Sequence, residues 1–339
     1  MKVRNILAFI LCVLMLCGLA VSCDNNDDSQ QKKLVELKLN EVTRSVVYAP
    51  LYAGISKGFF EAEGLKITIE TGGGSDKSMT ALLAGEADVA LMGPETVVYV
   101  ANQGKQDCPV VIGQLTKRDG SFLVSRVNEA EGFKWESLKG KTIIGGRRGG
   151  MPLMTLEYVL KQNGLEPGKD VTVIDNVQFN LMAGAFEGGT GDYVTLFEPT
   201  ATNMQNAGKG YIVANVGLES GEVPYTAFMM TKKMLKENPA IAESFLTALY
   251  KSQQWVKNAT DNEVAVAVQA FFPDTDIASL EIVAKSYRET DSWKTDPIMT
   301  EDSYNRLLDI VTSAGELSAK PEMNAVVDNS YAQKVVNGK

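Results

Sequence analysis

The sequence predicts an α/β protein of two lobes, each a sheet wrapped by helices, and three observations carry that expectation. The first is alternation: short apolar runs suited to burial in a parallel sheet follow stretches of helical spacing, three times before residue 116 and three more times by residue 216. The second is size, since 339 residues at 45% apolar content can bury a large core and fit two α/β domains better than one. The third is an internal echo. Ala84 to Thr96 (AGEADVALMGPET) and Gly188 to Thr200 (GGTGDYVTLFEPT) share a glycine turn, an aspartate, a short apolar strand, and a glutamate and proline where strand gives way to helix.

The N-terminus reads as a targeting segment. Lys2 and Arg4 precede an apolar run from Ile6 through Val21, too short to span a bilayer with comfortable flanks. Residues 1–22 are therefore expected to be a signal peptide. Leu19-Ala20-Val21-Ser22-Cys23 resembles a bacterial lipobox, which makes Cys23 the expected lipidated residue, although Ala20 stands where leucine is commonest. The polar, aperiodic residues 23–33 would then be a tether holding the body off the membrane. Removing the signal takes the formal charge from −9 to −11, with no basic stripe, which argues against nucleic acid as a partner. Of four cysteines only Cys108 stays in the body, so no internal disulfide is possible and Cys108 is expected to be buried.

The first lobe is expected to comprise 34–120 and 225–339. A strand near Leu34 to Val42 leads through Thr43 to Ser45 into a helix that opens at Pro50 and stops at Gly64. Lys66 to Glu70 is the next strand. Gly72, Gly73 and Gly74 then let the backbone bend close to a ligand, and Ser75 or Asp76 can cap a helix whose Met79, Leu82 and Leu83 share one face. Gly85 ends that helix. Val89 to Leu91 form a buried strand, Pro94 to Gln103 a helix, and Pro109 to Leu115 a strand.

The second lobe is expected over 121–224. A strand-like segment, Ser121 to Val127, leaves the first lobe, and Trp135 to Gly140 make a short polar turn before the strand Lys141 to Ile144. Gly145 to Pro152 (GGRRGGMP) turns into the helix Leu153 to Asn163. Strands at Val171 to Ile174, Tyr193 to Phe197 and Tyr211 to Val216 alternate with helices Asn180 to Phe186 and Thr200 to Ala207. Ser220 to Met230 reads as the return crossing. Four amphipathic helices follow: Pro239 to Ala259, Asn262 to Phe271, Asp276 to Thr290 and Glu301 to Ser313. Two connections between lobes imply a hinge and a cleft that closes on a ligand.

YAPLYAGISKGFFEAEGL (48–65), GGGSDKSMTALLAGEADVAL (72–91) and FEPTAT (197–202) resemble the substrate-binding proteins of the nitrate/sulfonate/taurine class of ABC importers. Within that class they resemble most the branch of thiamine-pyrimidine precursor binding proteins, over about 34–317. The resemblance implies a type II periplasmic-binding-protein fold. It also implies an acceptor role for Glu198, where pyrimidine-binding relatives carry a glutamate that hydrogen-bonds the heterocycle. The tryptophan often found early in those relatives is absent, since Arg44, Ser45 and Tyr48 occupy its region. A permease and a separate ATPase subunit are the implied partners, with the receptor itself expected to act as a monomer without a cofactor.

Chemistry narrows the choice. The chain has no histidine, which removes histidine-dependent triads, His-containing zinc sites and the self-consuming iron chemistry of a related yeast-type enzyme. Gly140-Lys141-Thr142 lacks the upstream glycine of a P-loop, having Trp135 there. A binding site is thus expected from Tyr48, Tyr52, Gly73, Gly74, Ser75, Glu95, Thr96, Arg147, Gly150, Met151, Glu198 and Tyr225. A hydrolase using Glu95 and Glu198 as acid and base, or an enzyme of pyrimidine synthesis, stays a remote alternative, and for a receptor two ligand chemistries remain open. Glycine-rich helix starts with Arg147 suit an organic anion such as a sulfonate. Two carboxylates with tyrosines instead suit a donor-bearing or cationic heterocycle. For either glutamate the plain alternative is service at a helix N-terminus.

Overall fold

The computed structural model describes residues 34–104 and 107–338, so the expected signal, Cys23 and tether lie outside the described residues. Two five-stranded mixed sheets organise the molecule. The first holds β1 (Val35–Glu41), β2 (Leu65–Thr71), β3 (Val89–Met92) and β4 (Val110–Thr116), the second β5 (Ser121–Ser125), β6 (Thr142–Ile144), β7 (Thr172–Ile174), β8 (Tyr193–Phe197) and β9 (Tyr211–Asn215). The chain then returns to the first sheet as β10 (Thr226–Met230).

Strand order is β2-β1-β3-β10-β4 in one sheet and β7-β6-β8-β5-β9 in the other, so the two lobes repeat one topology. In each, a single antiparallel strand sits inside the sheet: β10 between β3 and β4, and β5 between β8 and β9. Both are the first strand after a crossing. The segments Ser121 to Val127 and Ser220 to Met230, expected as exits, therefore also supply fully buried central strands. The apolar runs Phe122 to Val124 and Ala227 to Met230 follow, because a strand covered on both faces has no solvated side.

Several local expectations are corrected. The helix after Pro50 does not run to Gly64. It ends at Ser56, Gly58 adopts φ 72°, and a separate turn Phe59–Ala62 follows. Gly54 is needed there because a Cβ would stand 2.8 Å from the Phe60 ring. The helix Ser75–Ala84 is entered through Gly74, and neither Ser75 nor Asp76 caps it. Trp135–Leu138 is a 3-10 turn with Trp135 and Leu138 buried rather than a polar loop. Short helices at Val216–Ser220 and Lys232–Glu237, and two C-terminal ones at Met323–Val326 and Ser330–Asn337, were not expected from the sequence.

The helical remainder backs the first sheet. Pro239–Asn258 packs against Ala49–Ser56 and Ser330–Asn337, and Asp261–Val268 pairs with Ile277–Glu289. Thr260 and Glu263 form a reciprocal capping box at the start of Asp261–Val268. Cys108 is buried, with its thiol pushed up by burial. Among the described residues no helix is long and apolar enough to cross a membrane.

Candidate functional site

Both crossings, residues 117–120 and 216–225, run side by side. The Val223 amide donates to the Lys117 carbonyl at 2.9 Å, and the hydroxyls of Thr116 and Thr226 meet at 2.7 Å. Gly217 lies so close that a Cβ there would stand 2.1 Å from the Asp119 carbonyl oxygen. This paired ribbon is the axis on which the lobes face each other. Along the seam the lobes are tied by Ser45 Oγ donating to the Glu198 carbonyl (2.8 Å), Tyr99 Oη to the Gly149 carbonyl (3.1 Å) and Lys161 Nζ to the Ser313 carbonyl (2.6 Å).

Three hollows follow the seam. At one end a groove of about 250 Å³ is lined by Gly74, Ser75, Thr96, Tyr99, Arg147 and Gly150. At the other, a groove of about 270 Å³ lies between Arg44 and Phe179. Between them a central cavity of about 20 Å³ is walled by Tyr48, Ser75, Gly93, Met151, Phe197 and Tyr225. That central space holds about one water, so a ring-sized ligand is admitted only when the lobes part.

Beside this centre lies Glu95, whose carboxyl sits against the wall residues Gly93 and Met151 without itself lining the cavity. It is the first residue of the helix Glu95–Asn102, after the N-cap Pro94, and is 0% exposed. Its carboxylate folds back over Gly93, where a Cβ would stand 2.0 Å from Oε2, so only glycine leaves room for it. Neither Oε1 nor Oε2 has a hydrogen-bond partner. Burial pushes its pKa up to about 8; the nearby amides of Glu95 and Met151 favour the charged form, but burial outweighs them. Tyr48, Tyr99 and Tyr225 all feel its charge, and their hydroxyls are held well above the ordinary tyrosine value chiefly by burial.

Asp119, on the first crossing, was not expected from the sequence. It is fully buried; Oδ1 accepts from the Ser121 amide (2.7 Å) and hydroxyl (2.6 Å), while Oδ2 has no partner. Burial raises its pKa to about 7. The Tyr225 hydroxyl faces it closely enough to favour its charge, yet lacks a partner at bonding geometry. Tyr225 thus stands between two buried acids, Glu95 and Asp119.

Other expected residues are placed differently. Glu198 is 1% exposed, and both its oxygens serve its own helix start, accepting from the Thr202 amide and hydroxyl at 2.8 Å each. From just before the N-cap Pro199 it satisfies the first turn of Thr200–Asn206, which is the plain alternative. Tyr52 is fully buried behind Arg44, donates to Glu41 Oε2 at 2.6 Å and stacks on Phe271 at 4.6 Å, so it belongs to the first lobe's core. The amides of Gly72 and Gly73 donate to the carbonyls of Glu41 and Val42, which removes two donors from the supposed anion cradle.

Arg147 reaches across the seam instead of into the centre. Its guanidinium passes over Gly74, where a Cβ would meet Nη1 at 2.2 Å, and pairs with Asp76 at 3.0 Å. Arg148 turns away to Asp175. Gly74, Ser75, Thr96, Arg147 and Gly150 are brought together at one groove, and Tyr48, Ser75, Met151 and Tyr225 at the central cavity. Gly93, Tyr99, Phe197 and Asp119 were missed. Tyr99 alone had a readable signal, standing four residues after Glu95 on one helix face.

The sequence profile of the family described as NMT1/THI5 like matches residues 45–262. YtlA of Bacillus subtilis, assigned a binding role only provisionally, is 44% identical over 310 residues, covering 91% of this chain and 92% of that protein. The crystal structure of the periplasmic nitrate-binding protein NrtA from Synechocystis PCC 6803 superposes with a TM-score of 0.73 at 18% identity, over 90% of this chain and 89% of that one. The alkanesulfonate-binding protein SsuA from Xanthomonas axonopodis pv. citri, bound to MOPS, gives 0.70 at 15% identity, over 87% and 98%. These two share the fold.

Proposed function

The chain belongs to the NMT1/THI5-like family, and from that premise we propose that it is the extracytoplasmic solute-binding component of an ABC importer, capturing a small aromatic heterocycle of the thiamine-pyrimidine or thiamine type by closure of its lobes. The lobes are taken as 34–120 with 225–339, and 121–224. Cys23 is the proposed lipid anchor, and a permease with a separate ATPase the proposed partners. The fold shared with nitrate- and alkanesulfonate-binding proteins supports the receptor role.

The observation that carries the ligand class is Glu95: a buried carboxyl with two unpartnered oxygens just behind the wall of the central cavity, close enough for its charge to act on Tyr48, Tyr99 and Tyr225. Leaving such a group unpaired costs on the order of 1–3 kcal/mol, so a ligand supplying donors gains what the empty protein forgoes. A small anion would find no cation beside that carboxyl to pair with, because Arg147 is engaged with Asp76. Calorimetric titration with a hydroxymethylpyrimidine, thiamine and an alkanesulfonate tests the reading. Heat from the heterocycles and none from the sulfonate is expected; binding of the sulfonate alone would transfer the receptor to organic anions.

A further inference from the structure

We propose that the ligand is captured as a cation and that its arrival expels a proton from Glu95. This rests on the receptor reading above and adds the charge of the ligand and the way the protein selects it.

The walls of the central cavity contain no lysine or arginine. The titratable groups facing the Glu95 carboxyl are the phenols of Tyr48 from the turn after β1, Tyr99 from its own helix and Tyr225 from the second crossing. All three stay neutral across the working pH range. Behind them stand further acids: Glu41 acts on Tyr48, Glu316 on Tyr99 and Asp119 on Tyr225.

Two of the cations along the seam are already committed, and Arg118 on the first crossing, whose Nε is buried without a partner among the described residues, does not act on Glu95. Arg44 pairs with Glu41 at 2.7 Å and Arg147 with Asp76 at 3.0 Å. The centre is therefore a region of buried acids and ring faces without a counter-charge. Tyrosine faces attract a cation further once water is excluded. A neutral heterocycle would leave Glu95 protonated and the field uncompensated. A cation turns the unpaired carboxyl into half of a buried ion pair, and for that the carboxyl must lose its proton. Lobe closure then becomes selective for positive charge, because a neutral analogue of the same shape gains only a hydrogen bond.

Proton bookkeeping makes this measurable. Thiamine, permanently charged on its thiazolium ring, is titrated by calorimetry at pH 6, 7 and 8.5 in buffers of different ionisation enthalpy, and compared at pH 8.5 with hydroxymethylpyrimidine, which is neutral there. Release of close to one proton per thiamine is expected at pH 6 to 7, with affinity rising about tenfold per pH unit and levelling above about pH 8. Glu95→Gln should abolish both the release and the slope, and its near-ultraviolet spectrum and melting curve establish that it is folded. Binding of thiamine with no proton released, or with affinity that falls as pH rises, overturns the inference and leaves the receptor reading standing. Binding of the neutral pyrimidine in preference to thiamine overturns it as well. If neither compound binds, the heterocycle reading falls and takes the inference with it.

Discussion

The two lobes meet the cleft through turns of one design, used to opposite ends. After β3 the chain reads Gly93-Pro94-Glu95-Thr96, and after the topologically equivalent β8 it reads Glu198-Pro199-Thr200. In each turn the proline is the N-cap. The glutamate precedes it in one lobe and follows it in the other. Placed before the proline, Glu198 lies outside the helix and can bend forward onto the third helical residue, Thr202, whose amide and hydroxyl occupy it. Placed after the proline, Glu95 is inside the first turn and points its side chain back toward Gly93, where the Glu95 and Met151 amides lie near but neither meets it at bonding geometry. A one-residue transposition thus turns a structural cap into an unsatisfied buried acid at the seam.

The largest effect should come from exchanging the roles of these two residues. Glu95→Gln removes the charge at the centre and is expected to weaken binding of a cationic heterocycle by 100-fold or more, an estimate of about 3 kcal/mol for one partner of a buried charge pair. Glu198→Gln keeps an acceptor at the cap and should change affinity by less than about threefold. Titration of both variants decides it. If Glu198→Gln abolishes binding while Glu95→Gln does not, the acceptor role implied by the family resemblance for Glu198 is the correct one.

How much of this contrast could be read beforehand is instructive. The alternation of apolar runs and helical faces gave both lobes, because the central strands β3, β4, β5 and β10 are buried throughout and the helices bury one face. The echo around Glu95 and Glu198 was visible as well. What could not be read was the consequence of their position relative to proline, since a pattern of residue types does not say which amide a carboxylate can reach. Asp119 was hidden for a related reason. In Lys117-Arg118-Asp119-Gly120 it looks like a solvated loop charge, and only the packing of the second crossing, with Gly217 against its backbone, buries it. Tyr52 and Arg147 were misplaced because aromatic and basic residues near a glycine turn do not reveal their direction. Tyr52 is claimed by Glu41 and Phe271, and Arg147 by Asp76.

Stability against pH sharpens the comparison at an intermediate scale. Glu95 moves from an ordinary 4.5 up to about 8 on folding, and Asp119 from 3.8 to about 7. Between those values the unfolded chain is ionised while the folded one keeps its protons. The stabilisation is therefore complete below about pH 4 and is lost as pH rises through about 8. Chemical denaturation of the ligand-free protein should show stability falling by a few kcal/mol between pH 5 and 9. Glu95→Gln should flatten much of that slope and be the more stable protein at pH 9. Equal slopes in the two proteins would mean that Glu95 ionises freely, and the contrast with Glu198 would lose its electrostatic basis.

The smallest effect is expected at the edge of the seam. Arg147 is partly exposed and its bond to Asp76 crosses from one lobe to the other, so the pair acts as a light tie on closure. Exposed pairs contribute about 0–1 kcal/mol. Arg147→Ala should accordingly weaken ligand binding by no more than about fivefold, with the loss shrinking in 0.5 M salt as the wild-type tie is screened. An arginine that instead grips an anionic ligand would behave otherwise, because removing a charge-assisted, two-pronged contact costs far more than an exposed tie and affects the ligand directly. The two roles separate in a double-mutant cycle with Asp76→Ala. If Arg147 is a tie, its loss costs nothing further once Asp76 is gone. If it is a ligand residue, the cost persists undiminished and the seam, not its centre, holds the recognition chemistry.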